Sequence, residues 1–357
     1  MPSRFWSSLV RELHPYTPGE QPQGLNILKL NTNESAYGPS PRVFDAIRSA
    51  GDEELRRYPD PESLQLRGVI AAYHGLSPSE VFVGNGSDEV LSHVFLGLFK
   101  QERELLFPDI SYSFYPVWCQ LHAIKHRCIP LRDDFSIAPE DYATDAAAVI
   151  FPNPNAPTGR LMPLADIRRM LLSAPDRLLV VDEAYIDFGG DSAVSLVGDF
   201  DNLLVVQTLS KSRALAGLRV GLAIGDSALI EALTRVKDSF NSYPLDVLAQ
   251  RGAMAAYADQ EWFDACRGRI IASREMLCGA LQSLDFDVQP SAANFIFVRH
   301  RRVSGPELFA ALRERQVIVR RWEQPRIADY LRITVGTQAQ CARLLVALES
   351  ILGELNP

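Results

Sequence analysis

Between about Pro41 and Tyr243, seven short apolar runs recur between stretches of helical periodicity: EVFVG, RELLFP, HRCIPL, AAAVIFP, RLLVVDEA, NLLVVQTL and VGLAIG. Strands interleaved with helices predict a mostly parallel, seven-stranded sheet covered on both faces, an α/β architecture. In such a sheet the ligand site lies beyond the carboxyl ends of the strands. The residues that directly follow each run are therefore the candidates for chemistry.

After Tyr243 the pattern changes to long helical stretches, then strand candidates FDVQP, NFIFVR, VIVRR and LRITVGT, then a closing helix. That order predicts a smaller α+β domain. Residues 41–245 are assigned to the large domain, 246–357 to the small C-terminal domain, and 1–40 to an N-terminal arm that belongs to the small domain. The arm contains the Pro-rich HPYTPGEQPQG, an extended segment of the kind that lies across a partner subunit. A net charge of -8 argues against a broad nucleic-acid footprint, so an anionic ligand must be met by a local basic cluster. No apolar stretch approaches the roughly 18–20 residues needed to cross a bilayer, and MPSRFWSSLVRELHPY lacks the apolar core of a signal peptide. It reads as a short amphipathic helix of a cytoplasmic protein with no membrane partner. The five cysteines include no C-x-x-C pair and are expected to be free thiols.

Four segments carry chemistry. EVFVGNGSDEV joins a strand to a helical pattern from Ser87 through a Gly-rich turn; the amides at such a helix start bind anions, although an ordinary turn reads the same. AVIFPNPNAPTGR runs a strand into a loop stiffened by three prolines, able to hold an Asn amide toward a ligand. In RLLVVDEAYIDF, Asp182 and Glu183 end an apolar strand, where a carboxylate either meets a cation, carries out chemistry or caps a helix. In NLLVVQTLSKSRALAGLRVG, Lys211 follows Ser210 at the end of another strand, and a desolvated amine there is a nucleophile toward an aldehyde. Arg219 can return to the anion that Ser210 touches. Amine, buried carboxylate, anion cradle and arginine together form the set that pyridoxal phosphate requires.

At this level the chain resembles the fold-type I, pyridoxal-phosphate-dependent aminotransferases, and among them the histidinol-phosphate aminotransferase family. The motifs that carry the resemblance span nearly the whole length: LNTNESAYGPSP, RRYPDP, NGSDE, SYSFY, NPNAPTG, DEAYIDF, TLSKSRALAGLRVG and YLRITVGT. The resemblance implies Lys211 as the lysine bonded to the cofactor, Asp182 as partner of the pyridine nitrogen, and Tyr185 as hydrogen-bond partner of the ring hydroxyl oxygen. It places Gly86, Ser87, Asp88, Ser210 and Arg219 around the phosphate, and Tyr112 on the ring face. Tyr58 would reach the phosphate from the neighbouring subunit of a homodimer with shared active sites. Arg320 and Arg332 would take the substrate's anionic end. Where many relatives carry two asparagines, this chain has Ala156 before Pro157, so Asn155 is expected to replace the displaced Asn at the ring oxygen.

The implied reaction passes the amine of histidinol phosphate to 2-oxoglutarate, giving glutamate, with Lys211 as the base. An aromatic amino-acid aminotransferase would use the same machinery, and a non-catalytic phosphate- or nucleotide-binding protein would share the strand-to-helix turn but not need both Lys211 and Asp182. In WCQLHAIKHRC, Cys119, His122, His126 and Cys128 have ligand-like spacing. The first three fall on one helical face while Cys128 joins the next strand, so no metal is expected.

Overall fold

The computed structural model describes residues 3–24 and 26–355. Its first strand, β1 (Leu28–Lys29), belongs to the arm. Seven further strands follow the seven apolar runs: β2 (Val81–Asn85), β3 (Leu105–Pro108), β4 (His126–Ile129), β5 (Ala148–Pro152), β6 (Leu178–Asp182), β7 (Leu203–Thr208) and β8 (Val220–Gly225). They form one sheet in the order β2-β8-β7-β6-β5-β3-β4. The pairings from β7 to β4 are parallel, and β8 runs antiparallel to both its neighbours. The exception has a local cause. β7 and β8 pair directly through the loop 209–219, and neighbouring strands joined without a crossover must run in opposite directions.

Successive residues of the central strands enter two different cores. Val149, Phe151, Val181 and Val205 pack on one face of the sheet. Ile150, Val180, Leu204 and Val206 pack on the other. Burial on both faces explains why these strands read as unbroken apolar runs. β4 forms one edge of the sheet, and only its last residue is buried.

The C-terminal part builds a four-stranded antiparallel sheet of β9 (Phe286–Val288), β10 (Phe295–His300), β12 (Arg320–Arg321) and β13 (Leu331–Thr334), in the order β12-β13-β10-β9. VIVRR does not form one strand. Its first half, β11 (Val317–Ile318), pairs with β1 of the arm, and only its second half joins the larger sheet. The arm is thereby tied to the C-terminal unit by backbone hydrogen bonds. The helix Val247–Tyr257 lies C-terminal to residues 41–245, yet Ala249, Ala253 and Ala256 join the core over the seven-stranded sheet. The helix Gln260–Ser283 turns Ile270, Leu277 and Leu281 into the core of the smaller unit. All five cysteines are free.

Candidate active site

The carboxyl ends of β5, β6 and β7, the start of the helix Gly86–Val94 and one wall of the smaller unit enclose a cavity of about 240 Å³. Asp182 closes β6 and lies at its floor, almost fully buried. The Tyr115 hydroxyl donates to Asp182 Oδ2 at 2.9 Å, while Oδ1 is buried with no partner. Burial pushes this carboxyl up to about 6, against the opposing pull of the Tyr115 hydrogen bond. A buried oxygen left open in this way calls for a donor from a ligand.

Glu183 leaves the strand in the other direction. It accepts from Ser192 Oγ, the Ala193 amide and Gln207 Nε2 at 2.6–2.9 Å, and so caps the short helical segment Ala193–Asp199. Of the two carboxylates, only Asp182 lines the cavity.

Lys211 enters from the loop between β7 and β8, and its Nζ donates to the Thr32 carbonyl at 3.1 Å. Thr208 Oγ1 holds Ser210 through its hydroxyl (3.0 Å) and its amide (3.2 Å). Two residues beyond the lysine, the Arg213 guanidinium lies 4.2 Å from the Tyr257 ring centroid and 4.1 Å from that of Phe263. Cation–π contacts on both rings anchor the loop to the helices beneath it.

The anion cradle is built on close approach. Gly86 has φ +79°, and a Cβ there would stand 2.4 Å from Arg219 Nη2. A Cβ on Gly221 would stand 2.2 Å from the Ser87 amide nitrogen. Glycine at both positions lets Arg219 and β8 close on a helix start whose amides and dipole favour an anion. Ser87, Asp88, Ser210 and Arg219 line the cavity. The Tyr112 hydroxyl donates to Asp88 Oδ1 at 2.8 Å, which sets its ring against the same opening, and burial raises that phenol well above its ordinary value.

Arg332 and Arg320 form the opposite wall, directly paired across β13 and β12. Arg332 Nη2 donates to the Asn31 carbonyl at 2.8 Å, and its Nε is buried without a partner. Burial lowers its proton affinity, and its guanidinium lies 5.3 Å from the Phe295 ring centroid and 5.2 Å from that of Trp322. Arg320 is partly exposed and sits over Trp322. Two adjacent guanidinium groups facing one cavity attract a doubly charged anion.

Two expected residues lie elsewhere. Asn155 is buried, and its Nδ2 donates to the Ile110 carbonyl and Thr158 Oγ1, both at 3.0 Å, within its own surroundings. Ala156 and Pro157, not Asn155, line the cavity. Tyr58 is 81% exposed, stacks on Tyr243 and does not line the cavity. The Cys–His run also differs from its predicted helical face. The helix Tyr115–His122 ends at Ala123 in the left-handed region, and His126 opens β4, stacked on Phe107. Among the described residues no group of His, Cys, Asp and Glu is arranged to hold a metal ion. Tyr115, Thr208, Tyr16 and Trp322 were not anticipated. Tyr115 stands within SYSFY, but nothing in the motif shows which tyrosine meets Asp182.

The aminotransferase class I and II family model matches residues 26–348. The chain is 58% identical to histidinol-phosphate aminotransferase 1 of Burkholderia pseudomallei, over 98% of this chain and 99% of the relative. It is 59% identical to histidinol-phosphate aminotransferase 2 of Thiobacillus denitrificans, over 98% of each. The fold is similar to that of histidinol-phosphate aminotransferase from Sinorhizobium meliloti in complex with pyridoxal-5'-phosphate, with a TM-score of 0.89, 24% identity and 99% of each chain covered. An aspartate aminotransferase variant of Thermus thermophilus matches with a TM-score of 0.81 at 20% identity, over 98% of this chain and 100% of that one.

Proposed function

This chain belongs to the class I and II aminotransferases, within their histidinol-phosphate family, and on that premise we propose that the cavity binds pyridoxal 5'-phosphate and transfers the amine of L-histidinol phosphate to 2-oxoglutarate. The products are imidazole-acetol phosphate and glutamate, and the reaction serves histidine biosynthesis. The observation that carries the cofactor reading is the unpartnered Oδ1 of buried Asp182, in the same cavity as the Lys211 amine and the Arg219 cradle.

When bound, the cofactor supplies a carbonyl that takes up amines and a pyridinium ring that withdraws electrons from the substrate Cα. The protein does the rest. Asp182 holds the proton on the ring nitrogen, Tyr185 meets the ring hydroxyl oxygen, and Tyr112 covers one ring face. Gly86, Ser87, Asp88, Ser210 and Arg219 surround the phosphate. Lys211 would hold the cofactor through Nζ, and the same amine is the group placed to move the proton at the substrate Cα.

Arg332 and Arg320 receive the substrate phosphate in one half-reaction and a carboxylate of glutamate in the other. Tyr58 serves the site of the partner subunit in a homodimer, a reading supported by its exposure and by its absence from the lining of its own cavity. The paired arginines favour a phosphate donor over an aromatic amino acid. With 2-oxoglutarate as acceptor, kcat/KM for histidinol phosphate should exceed that for phenylalanine by about 10–100-fold, the worth of one charged hydrogen bond. Equal values would favour an aromatic aminotransferase.

A further inference from the structure

Tyr185 is the residue assigned to the cofactor's ring oxygen, and its hydroxyl is not free. Asn33, in the arm segment LNTNES, donates from Nδ2 to Tyr185 Oη at 3.0 Å. The phenol oxygen thus accepts on the side away from the cavity, and its own hydrogen is left for a group within the cavity. The amide cannot exchange its two ends without loss. Thr334 Oγ1 accepts from the Asn33 backbone amide and donates to Asn33 Oδ1, both at 3.0 Å. In the reversed amide, Nδ2 would face that hydroxyl, whose hydrogen then has no acceptor among the described contacts. Asn294 Nδ2 donates to the Asn33 carbonyl at 3.0 Å and fixes the backbone, which lies in the left-handed region at φ +58°.

Asn155 spends its Nδ2 on the Ile110 carbonyl and Thr158 Oγ1, and Ala156 brings only a methyl group to the cavity wall. Asn153 bonds the Met162 backbone through both ends of its amide, and neither Asn153 nor Asn155 lines the cavity. We propose that Asn33 is the positioning residue of this site: it acts through Tyr185, orienting the hydroxyl hydrogen toward the cofactor's ring oxygen. Asn33 does not line the cavity, so it touches neither cofactor nor substrate. This inference rests on the cofactor reading above.

The alternative role for Asn33 is structural, because asparagine tolerates a left-handed backbone. Asn33→Gly separates the two, since glycine keeps the backbone and removes the amide. Asn33→Asp is a second variant that keeps the shape but offers the hydroxyl an acceptor, drawing its hydrogen away from the cavity. The readout is the pH midpoint at which the visible band of the lysine-bound cofactor changes, measured without substrate.

Both Asn33 variants should shift that midpoint in the same direction as Tyr185→Phe. In a Tyr185→Phe background, Asn33→Gly should shift it no further. A midpoint unchanged in both single variants, or an equal shift with and without the Tyr185 hydroxyl, would overturn the proposal. A native protein that develops no visible band with pyridoxal phosphate would overturn the cofactor reading instead.

Discussion

Asp182 and Glu183 are neighbours in the chain, and burial pushes both carboxyls up, to about 6 and about 7. Their surroundings separate them: three donors satisfy Glu183, while Asp182 keeps one oxygen open toward the cavity. Glu183 therefore has a measurable effect on stability. Folded, it keeps its proton to about pH 7; unfolded, it releases it near the ordinary 4.5. Below the lower value it contributes nothing, and as pH rises between the two, the folded state is progressively disfavoured. Glu183→Gln lacks this penalty. Denaturant unfolding at pH 5 and pH 8 should show the variant gaining on the native protein by on the order of 2–3 kcal/mol at the higher pH; a constant difference would mean the folded chain holds this carboxylate ionised throughout.

The arginines make a second residue-scale test. Arg332→Lys replaces a paired donor with a point charge and should weaken both half-reactions by about 1–3 kcal/mol. Arg320→Ala should damage the histidinol-phosphate half more than the glutamate half, since a phosphate asks for more charge. Single-turnover rates for each donor decide it, and equal losses in Arg320→Ala would remove the case for a phosphate contact there. The family resemblance pointed to Arg332, and alternation along its strand sets it apart from Leu331 and Ile333. The same logic did not reach Asn33, whose role depends on a contact with Tyr185, 152 positions away.

Among the elements, β8 and the helix Gly86–Val94 must meet backbone to backbone for the anion cradle to exist. Gly221→Ala would place a methyl against the Ser87 amide nitrogen and the Gly86 carbonyl carbon, both main-chain atoms that cannot rotate aside. The helix start must then move. Overpacking of this kind costs about 1–3 kcal/mol, and cofactor affinity, followed by visible absorbance, should fall about tenfold or more while the protein still unfolds cooperatively. Native affinity in Gly221→Ala would show that the amides are not part of the cradle.

All seven apolar runs became strands, because burial on both faces writes itself into consecutive residues. Partners are less legible than strands. VIVRR was divided between two sheets by a pairing with Leu28–Lys29, which no local pattern reveals. The predicted helical face of Cys119, His122 and His126 failed for a different reason. Ala123 takes the left-handed backbone that ends the helix, at a residue type that gives no such signal.

At the scale of the whole molecule, the cavity needs both units: Lys211, Asp182 and the cradle stand on the large sheet, Arg320 and Arg332 on the small one, and the arm supplies Asn31 and Thr32 between them. The homodimer reading adds a third contributor. Inactive Tyr58→Ala and Lys211→Ala subunits, mixed to form hybrids, should recover partial activity, because one of the two hybrid sites then holds both native residues. Hybrids that form and stay inactive would place Tyr58 outside the partner's site.

The central claim, that this cavity takes the amine from histidinol phosphate by way of a lysine-bound cofactor, is tested most directly by one spectroscopic measurement. The purified, cofactor-loaded protein is mixed with histidinol phosphate in the absence of any keto acid, and its visible absorbance is followed in a single turnover. The account predicts that the visible band is lost, that it returns on addition of 2-oxoglutarate, and that Lys211→Ala completes no such cycle. A band that stays unchanged with histidinol phosphate, yet disappears with phenylalanine, would contradict it.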